Sequence, residues 1–241
     1  QCAAMCEAAS RARAELAAEL QLPSGELRLA APAGFTQHAA PALGQWLAAH
    51  PSLRLRLLMD DTPIDLIQAR VDLALRFGNL QDSSWVARHL GRSATVLCAS
   101  PQWLQVHGST LQHPAELAQL PWLELSRNEA VQTDFLWHNH STGQEYRLQV
   151  LPQMVSNHRS AVQQFCEAGL GIALLSAHDV AASLKNGTLV RLLPDWDMGM
   201  LDIWAVTASR DTLPAKVREA INVLRQYFAQ LDGVQSTAAL T

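Results

Sequence analysis

The sequence has no apolar run of membrane-spanning length, and it has no basic start followed by an apolar signal core. A transmembrane helix needs about 20 consecutive apolar residues. A secretory signal needs a charged start followed by a shorter apolar core. These two absences predict a protein that stays out of the membrane and works in the cytoplasm.

Basic residues are too few to indicate a nucleic-acid-binding surface. Lys and Arg number 18 against 22 Asp and Glu, which gives a formal net charge of −4. Holding a phosphate backbone requires clustered Lys and Arg. We therefore expect this segment alone to bind duplex DNA negligibly.

Motifs that carry catalysis or bind cofactors are missing as well. The sequence has no Gly-x-Ser-x-Gly elbow, no phosphate loop, no His-Glu-x-x-His and no Gly-x-Gly-x-x-Gly after a strand. Gly169-Leu170-Gly171 lies after a predicted helix and before a predicted strand, the reverse of a dinucleotide site. We predict that the chain is not an enzyme, has no catalytic residues and needs no cofactor.

Cysteine and histidine do not form a recognisable metal site. Cys98 and Cys166 lie in apolar patterns and are predicted to be buried thiols, and four cysteines do not suggest a disulfide framework. Cys2 and Cys6 lie one helical turn apart, but two further ligands are lacking. The pair His138 and His140 shares a strand face without a third ligand. We predict no metal.

What the sequence does contain is enough apolar material for packed cores. The 241 residues are 49% apolar, which suits one large domain or two small ones. Between Glu26 and Phe77, strand patterns at Glu26 to Ala31, Leu53 to Met59 and Val71 to Phe77 alternate with helical ones. Helices are predicted after Thr36 and after Thr62, where Thr62 would cap the helix and Pro63 would occupy its first turn. This alternation predicts an α/β fold with a parallel sheet covered on both faces.

The most informative stretch is Ser156 to Ser176, which reads as a turn, a helix and a strand. Ser156 or Asn157 can cap a helix whose apolar face is formed by Ala161, Val162, Phe165 and Cys166. Gly169 and Gly171 are expected where a positive φ or a close backbone approach is needed. Ile172 to Leu175 then forms a short buried strand.

The remaining patterns predict further elements on both sides of that stretch. Strands are predicted at Val86 to Leu90, Thr95 to Ala99, Trp122 to Leu125, Leu189 to Leu192 and Ile203 to Val206. A hairpin is predicted from Phe135 to Val150, with its turn at Ser141-Thr142-Gly143. Helices are predicted after Ser100, from Pro114 to Leu120, up to Leu184 and from Pro214 to Leu231.

Several of these stretches carry a family resemblance. The segments are Ser24-Gly25-Glu26-Leu27-Arg28-Leu29, Ala49-His50-Pro51-Ser52-Leu53, Val71 to Gly78, Ser156 to Ser176 and Leu213 to Arg218. In this order they resemble the effector-binding domain of LysR-type transcriptional regulators. The resemblance covers roughly nine-tenths of the chain and implies a type 2 periplasmic binding protein-like fold, with two Rossmann-like lobes joined by two crossover strands.

The resemblance also implies a domain organisation. Residues 1–23 are the end of a linker helix, although Cys2 to Leu22 also suits an ordinary amphipathic surface helix. Residues 24–91 and 202–232 form lobe I, residues 92–201 form lobe II, and residues 233–241 are a flexible tail. The DNA-binding winged helix-turn-helix of the family would precede this chain.

Function follows from the resemblance as an expectation. A regulator of this bacterial family senses a small organic effector in the cleft between its lobes, forms a homodimer through this domain and a tetramer as a full-length protein, and contacts DNA only through its winged helix-turn-helix. The alternatives are a solute-binding protein for transport and a catalytic domain, such as a dehydratase, on the same fold.

Ten residues are candidates for the effector site, because they follow strands whose carboxyl ends would line the cleft. Lobe I contributes Ala33, Gly34, Phe35, Thr36, Thr62, Arg76 and Phe77, and lobe II contributes Ser126, Arg127 and Asn157. Hydroxyl and amide donors, one aromatic wall and a cation suit a small organic anion. Thr36, Thr62 and Asn157 could instead serve only as helix caps, and Arg76 could pair with a surface acid.

Overall fold

A computed structural model describes residues 22–61, 65–80, 85–107, 111–126, 132–208 and 213–236. The chain divides into two compact units. Unit 1 comprises Gln1–Leu90 and Ile203–Ala229, and unit 2 comprises Gly91–Asp202 and Gln230–Thr241. Among the described residues, no helix has both the length and the apolar character needed to cross a membrane.

Unit 1 is built on a sheet with three parallel strands. The strands β1 (Gly25–Ala31), β2 (Leu53–Met59) and β3 (Leu73–Phe77) lie in the order β2-β1-β3, followed by the antiparallel β12 (Met200–Thr207). Helix α1 (Thr36–Ala49) connects β1 to β2 and packs on helix α5 (Ala215–Ala229). A short 3-10 turn, Ala33–Phe35, precedes α1.

The sheet of unit 2 combines parallel and antiparallel pairs. Strand β4 (Val86–Ala99) enters from unit 1 and pairs antiparallel with β9 (Ile172–Ser176). Next to β9 lie the parallel strands β5 (Trp122–Leu125) and β8 (Met154–Ser156). Strands β10 (Val190–Leu192) and β13 (Val234–Ser236) also pair with β4.

Helices and a second sheet cover this sheet. The helices are α2 (Pro101–His107), α3 (Arg159–Glu167) and α4 (Ala177–Asn186), and a 3-10 turn spans Pro114–Leu117. The second sheet has three strands, β6 (Thr133–Asn139), β7 (Glu145–Val150) and β11 (Trp196–Asp197).

The two faces of the β4-β9-β5 sheet bury different partners because side chains alternate along a strand. On one face Leu97, Trp122 and Ile172 pack against Trp137 and other residues of the second sheet. The opposite face presents residues that pack against α3 and α4, namely Val96, Cys98, Leu123, Ala173 and Leu175. Cys98 and Cys166 are both buried free thiols, as predicted.

The predicted turn-helix-strand unit at residues 156–176 is confirmed as α3 followed by β9. Gly169 has a φ of +81°. A Cβ atom on Gly171 would lie 2.4 Å from the carbonyl oxygen of Pro121. Both reasons for glycine at these positions are therefore confirmed, one at each residue.

Other predictions differ from the structure. Val86–Ala99 is one continuous strand of 14 residues rather than two. Leu66–Arg70 forms turns instead of a helix, and the Asp65 carboxylate accepts the N–H groups of Ile67 and Gln68. The Asp65 side chain thus satisfies backbone N–H groups of the turn, and such local hydrogen bonds compete with helix formation. Val234–Ser236, expected in a flexible tail, is strand β13, because β4 offers it an edge for pairing. The linker helix lies almost wholly outside the described residues.

Candidate functional site

The carboxyl end of β1 leads into a turn that is fixed by a buried carboxylate. Asp61, which follows β2, accepts the backbone N–H of Ala33 at 3.0 Å. The N–H of Phe35 donates to the Pro32 carbonyl at 2.9 Å. The Asp61 contact links the ends of β1 and β2, and the Phe35 bond closes the turn, so together they hold it in one conformation.

Thr36 is the first residue of α1 and is exposed. Its hydroxyl donates to the Ala33 carbonyl at 2.7 Å, so the side chain does not act as the helix cap. A hydroxyl that donates one hydrogen still has lone pairs with which to accept. Thr36 therefore presents a positioned acceptor at the start of α1, beside the half-exposed Gly34.

The aromatic candidates of unit 1 have different environments. Phe35 is buried, and its ring lies 6.2 Å from that of Phe228 in the core. Phe77 is half-buried and meets the same Phe228 ring edge-on at 6.1 Å. Phe35 can therefore offer a ligand its backbone, whereas Phe77 also retains exposed ring surface.

Arg76 lies beside the same turn. Ala30 pairs with Ala74 in the parallel β1–β3 ladder, so Arg76 is level with Pro32, just before the turn. Arg76 also pairs with Trp204 of β12 and is half-buried. The structure thus brings Ala33, Gly34, Thr36 and Arg76 to one edge of unit 1, while Thr62 lies outside the described residues.

Unit 2 brings Ser126 and Asn157 together at the carboxyl ends of two neighbouring parallel strands. Leu125 pairs with Ser156, and the N–H of Ser126 donates to the Ser156 carbonyl at 3.0 Å. Asn157 is exposed and is not the cap of α3, because the N-cap is His158. Substitution of Asn157 therefore removes no helix-capping hydrogen bond. Arg127 lies outside the described residues.

Sequence reasoning missed a polar group at the same edge of unit 2. Leu123 pairs with Ala173 in the β5–β9 ladder, which makes Ser176 level with Ser126. The Ser176 hydroxyl accepts from a terminal guanidinium nitrogen of Arg159 at 2.8 Å. Arg159 Nε lies 3.6 Å from the buried Asp179 carboxylate. The signal that could have found this group is the Ser at the end of one strand together with an Arg two residues after Asn157.

Further buried residues of unit 2 extend this group. His178 Nε2 lies 3.4 Å from Asp179 Oδ1, and His178 Nδ1 lies 2.7 Å from the Ser93 hydroxyl. Ser93, His178 and Asp179 are all buried. Buried polar groups need such partners because an unsatisfied one is costly. The chain of contacts fixes the guanidinium of Arg159 at the start of α3.

The arrangement suits binding of a polar or anionic group. In each unit, hydroxyls and an arginine gather where parallel strands end, and in open α/β sheets ligands bind at that end. A charge-assisted bond from arginine to an anion is stronger than a neutral one. Away from this edge, His138 Nε2 lies 2.9 Å from the Glu145 carboxylate on the exposed hairpin.

Comparisons with known proteins place the chain in a family. A family model described as the LysR substrate binding domain matches residues 20–229. The transcriptional regulator DmlR of Escherichia coli K12 is 36% identical over 217 residues, which are 90% of this chain and 69% of that protein. PtxR of Pseudomonas aeruginosa is 31% identical over 209 residues, covering 86% and 66%. The chain spans about two thirds of the length of these relatives.

Solved structures agree with this assignment. The full-length virulence activator AphB of Vibrio cholerae matches with a TM-score of 0.71 and 27% identity, over 94% of this chain and 77% of that one. The regulatory domain of CrgA from Neisseria meningitidis matches with a TM-score of 0.72 and 28% identity, over 85% and 98%. The predicted type 2 periplasmic binding protein-like α/β fold is confirmed. The relatives are regulators and not transport proteins. The chain belongs to the LysR substrate-binding domain family and is the substrate-binding domain of a LysR-type transcriptional regulator.

Proposed function

We propose that this domain senses a small organic anion at the carboxyl ends of its parallel strands. The observation that carries the proposal is the gathering of Thr36 and Arg76 in unit 1, and of Ser126 and Asn157 in unit 2, at those strand ends. Backbone N–H groups at the starts of α1 and α3 add to the attraction for negative charge.

Arg159 joins the candidates that the sequence suggested. Its guanidinium is held by Ser176 and Asp179, so little side-chain freedom remains to be lost when a ligand binds. A guanidinium has five N–H donors, and one of them is engaged by Ser176. Others can serve an anion beside Asn157.

The role we propose is regulatory and not catalytic, in the cytoplasm. A ligand that binds one conformation of the domain more tightly than another shifts the population toward it. A coupling of roughly 1–3 kcal/mol to a DNA-binding segment would be ordinary. With a formal charge of −4, this chain has little attraction for a phosphate backbone, so DNA contact is assigned to residues outside it.

Substitution at the strand ends tests the site. A thermal-shift screen of organic acids first identifies an effector, since a ligand of the folded state raises its stability. Thr36→Val and Asn157→Ala should each weaken its binding by about 0.5–1.5 kcal/mol, the contribution of one neutral hydrogen bond. Arg159→Gln removes a positive charge and should weaken effector binding by about 1.5–3 kcal/mol. Titration calorimetry measures each change.

Thr142→Val in the β6–β7 turn is the matched control, because Thr142 is exposed and lies away from every strand end in the proposed site. It should leave the affinity unchanged. If Thr36→Val and Asn157→Ala both bound the effector as tightly as the parent, the ligand would lie elsewhere.

We further propose a homodimer in which α1 of one subunit packs on α3 of the other. The exposed side of α1 carries the small residues Ala40, Gly44 and Ala48, which allow close approach of another helix. Phe165 on α3 is 42% exposed and Leu170, just after it, is 48% exposed. Trp46 of α1 is buried in unit 1, where its Nε1 donates to Glu219, so its ring is not offered to a partner. Phe165 and Leu170 are the anchors of the proposed interface.

Sedimentation equilibrium tests this interface. The parent should be a dimer at high micromolar concentration, and Phe165→Ser should shift it to monomer because the aromatic contact area is lost. Val106→Ser, at an exposed apolar residue on α2, should leave the dimer intact. A parent that remains monomeric, or a dimer that both substitutions leave unchanged, would contradict the proposed interface.

A further inference from the structure

Unit 2 contains a half-open pocket that lies within that unit alone. Its volume is about 170 Å³, and its lining residues are Trp122, Leu123, Glu124, Leu125, Phe135 and Leu174. A buried apolar cavity of about 150 Å³ is large enough to hold benzene. The pocket therefore has room for one six-membered ring with a short substituent.

One wall of the pocket is aromatic and rigid. The Trp122 and Phe135 rings stack with centroids 5.4 Å apart and an interplanar angle of 23°. Phe135 also stacks on Trp137 at 5.6 Å. Trp122 is buried, and its indole N–H donates to the Leu117 carbonyl at 2.9 Å. A wall held in this way loses little freedom when it contacts a ligand, which favours binding.

Among the described lining residues, the charged side chain is that of Glu124. The Thr133 hydroxyl lies 2.6 Å from one of its oxygens and donates to the carboxylate, which orients it. A carboxylate has about four lone-pair sites, and the hydroxyl supplies one hydrogen. Glu124 therefore keeps capacity for another donor, and its negative charge selects against anions.

We propose that this pocket binds a small monocyclic arylalkylammonium ion. The ring packs against Trp122, Phe135 and Leu174, and the ammonium group donates to Glu124. Aromatic faces attract cations, and desolvation in a pocket strengthens this attraction. A charge-assisted bond to a carboxylate is about twice as strong as a neutral one. The pocket prefers cations, whereas the site proposed at the strand ends prefers anions. One class of ligand therefore does not bind at both.

Three probes with the same ring and different charges test the proposal. Benzylammonium should bind saturably by calorimetry, benzyl alcohol should bind at least tenfold more weakly, and benzoate should not enter the pocket. The indole ¹⁵N–¹H signal of Trp122, assigned among the seven tryptophans by Trp122→Phe, should shift with benzylammonium. A complex of millimolar affinity is largely formed at about 10 mM ligand.

Two substitutions and two controls locate the binding. Glu124→Gln keeps an acceptor for Thr133 and should lower the affinity for benzylammonium at least tenfold. Phe135→Leu should lower it through loss of the stacked ring. Glu145→Gln and Leu136→Ala change exposed residues of the same hairpin and should have no effect. Circular dichroism confirms that each variant is folded.

Four results would overturn the proposal: no saturable binding of benzylammonium, an equal shift of the Trp122 indole signal with benzoate, an unchanged affinity in Glu124→Gln, or loss of benzylammonium binding in Asn157→Ala. The last result would place the cation at the strand ends. Failure of the anion site leaves the first three of these results valid, since they are measured without any change at Thr36 or Asn157.

Discussion

Replacing Gly171 with alanine should lower the free energy of unfolding by about 3 kcal/mol, near the upper end for overpacking a core. The new Cβ would lie 2.4 Å from the Pro121 carbonyl oxygen and 3.1 Å from a side-chain carbon of Leu123. The carbonyl cannot move away at low cost, because it accepts the Ile172 N–H at 2.9 Å. Relief of the clash would separate β9 from the entry to β5. Urea unfolding followed by circular dichroism measures the change.

Gly143→Ala is the matched control for this prediction. Gly143 has a φ of +71° in the β6–β7 turn, and a Cβ there would meet nothing within 4 Å. Alanine at such a position carries only the backbone cost of about 1 kcal/mol. A loss at Gly171 no larger than the loss at Gly143 would show that β9 adjusts freely, contrary to the expectation.

In the folded protein, Cys98 and Cys166 should react with iodoacetamide roughly 1,000-fold more slowly at pH 8 than ordinary thiols, because the thiolate is the nucleophile. Burial raises the pKa of Cys98 from 9.0 to about 12, and the neighbouring Cys166 raises it further than the Arg191 charge lowers it. Burial likewise raises the pKa of Cys166 to about 12, with a contribution from the Glu167 charge. Mass spectrometry of tryptic peptides gives the rate at each site and separates them from Cys2 and Cys6.

The same reaction in denaturing urea is the control, and both thiols should then react at the ordinary rate. The raised pKa values also predict a dependence of stability on pH. Unfolded thiols lose their protons near pH 9, while the folded ones keep theirs to about pH 12. Stability from this source is present below pH 9 and is lost as the pH rises from 9 toward 12. Rapid labelling of either thiol under native conditions at pH 8 would contradict the prediction.

The elements that sequence patterns predicted well are those whose signals are local. Ser156 to Ser176 carries its helix periodicity, its two glycines and its apolar strand within 21 residues, and each has the expected form. The β6–β7 hairpin is similar, because a turn sequence separates two alternating segments. Strand β13 forms only because it pairs with β4, which is distant in sequence. Its local sequence therefore indicated a flexible tail and not a strand.

The candidate site shows the same division. The order of elements along the chain predicted which residues follow the strand ends, namely Thr36, Arg76, Ser126 and Asn157. The strand registers place these residues in two groups, one in each unit. The side-chain partners did not follow, because Asp61 reaches Ala33 across 28 positions and Arg159 reaches Ser176 across 17. Periodicity also does not reveal that the Phe35 ring turns into the core.

Strand β13 changes how the end of the chain can be engineered. Val234, Gln235 and Ser236 pair with Ser93, Arg92 and Gly91, so a chain cut before Val234 would leave that stretch of β4 as an open edge. Unpaired edges recruit strands from other molecules and promote aggregation. A Cβ on Gly91 would lie within 3 Å of Gln235, and a Cβ on Gly233 would lie within 3 Å of Ala177. Glycine at both positions therefore permits the close packing of this end of the chain. An affinity tag is therefore safer after Ser236 than in place of Val234–Ser236.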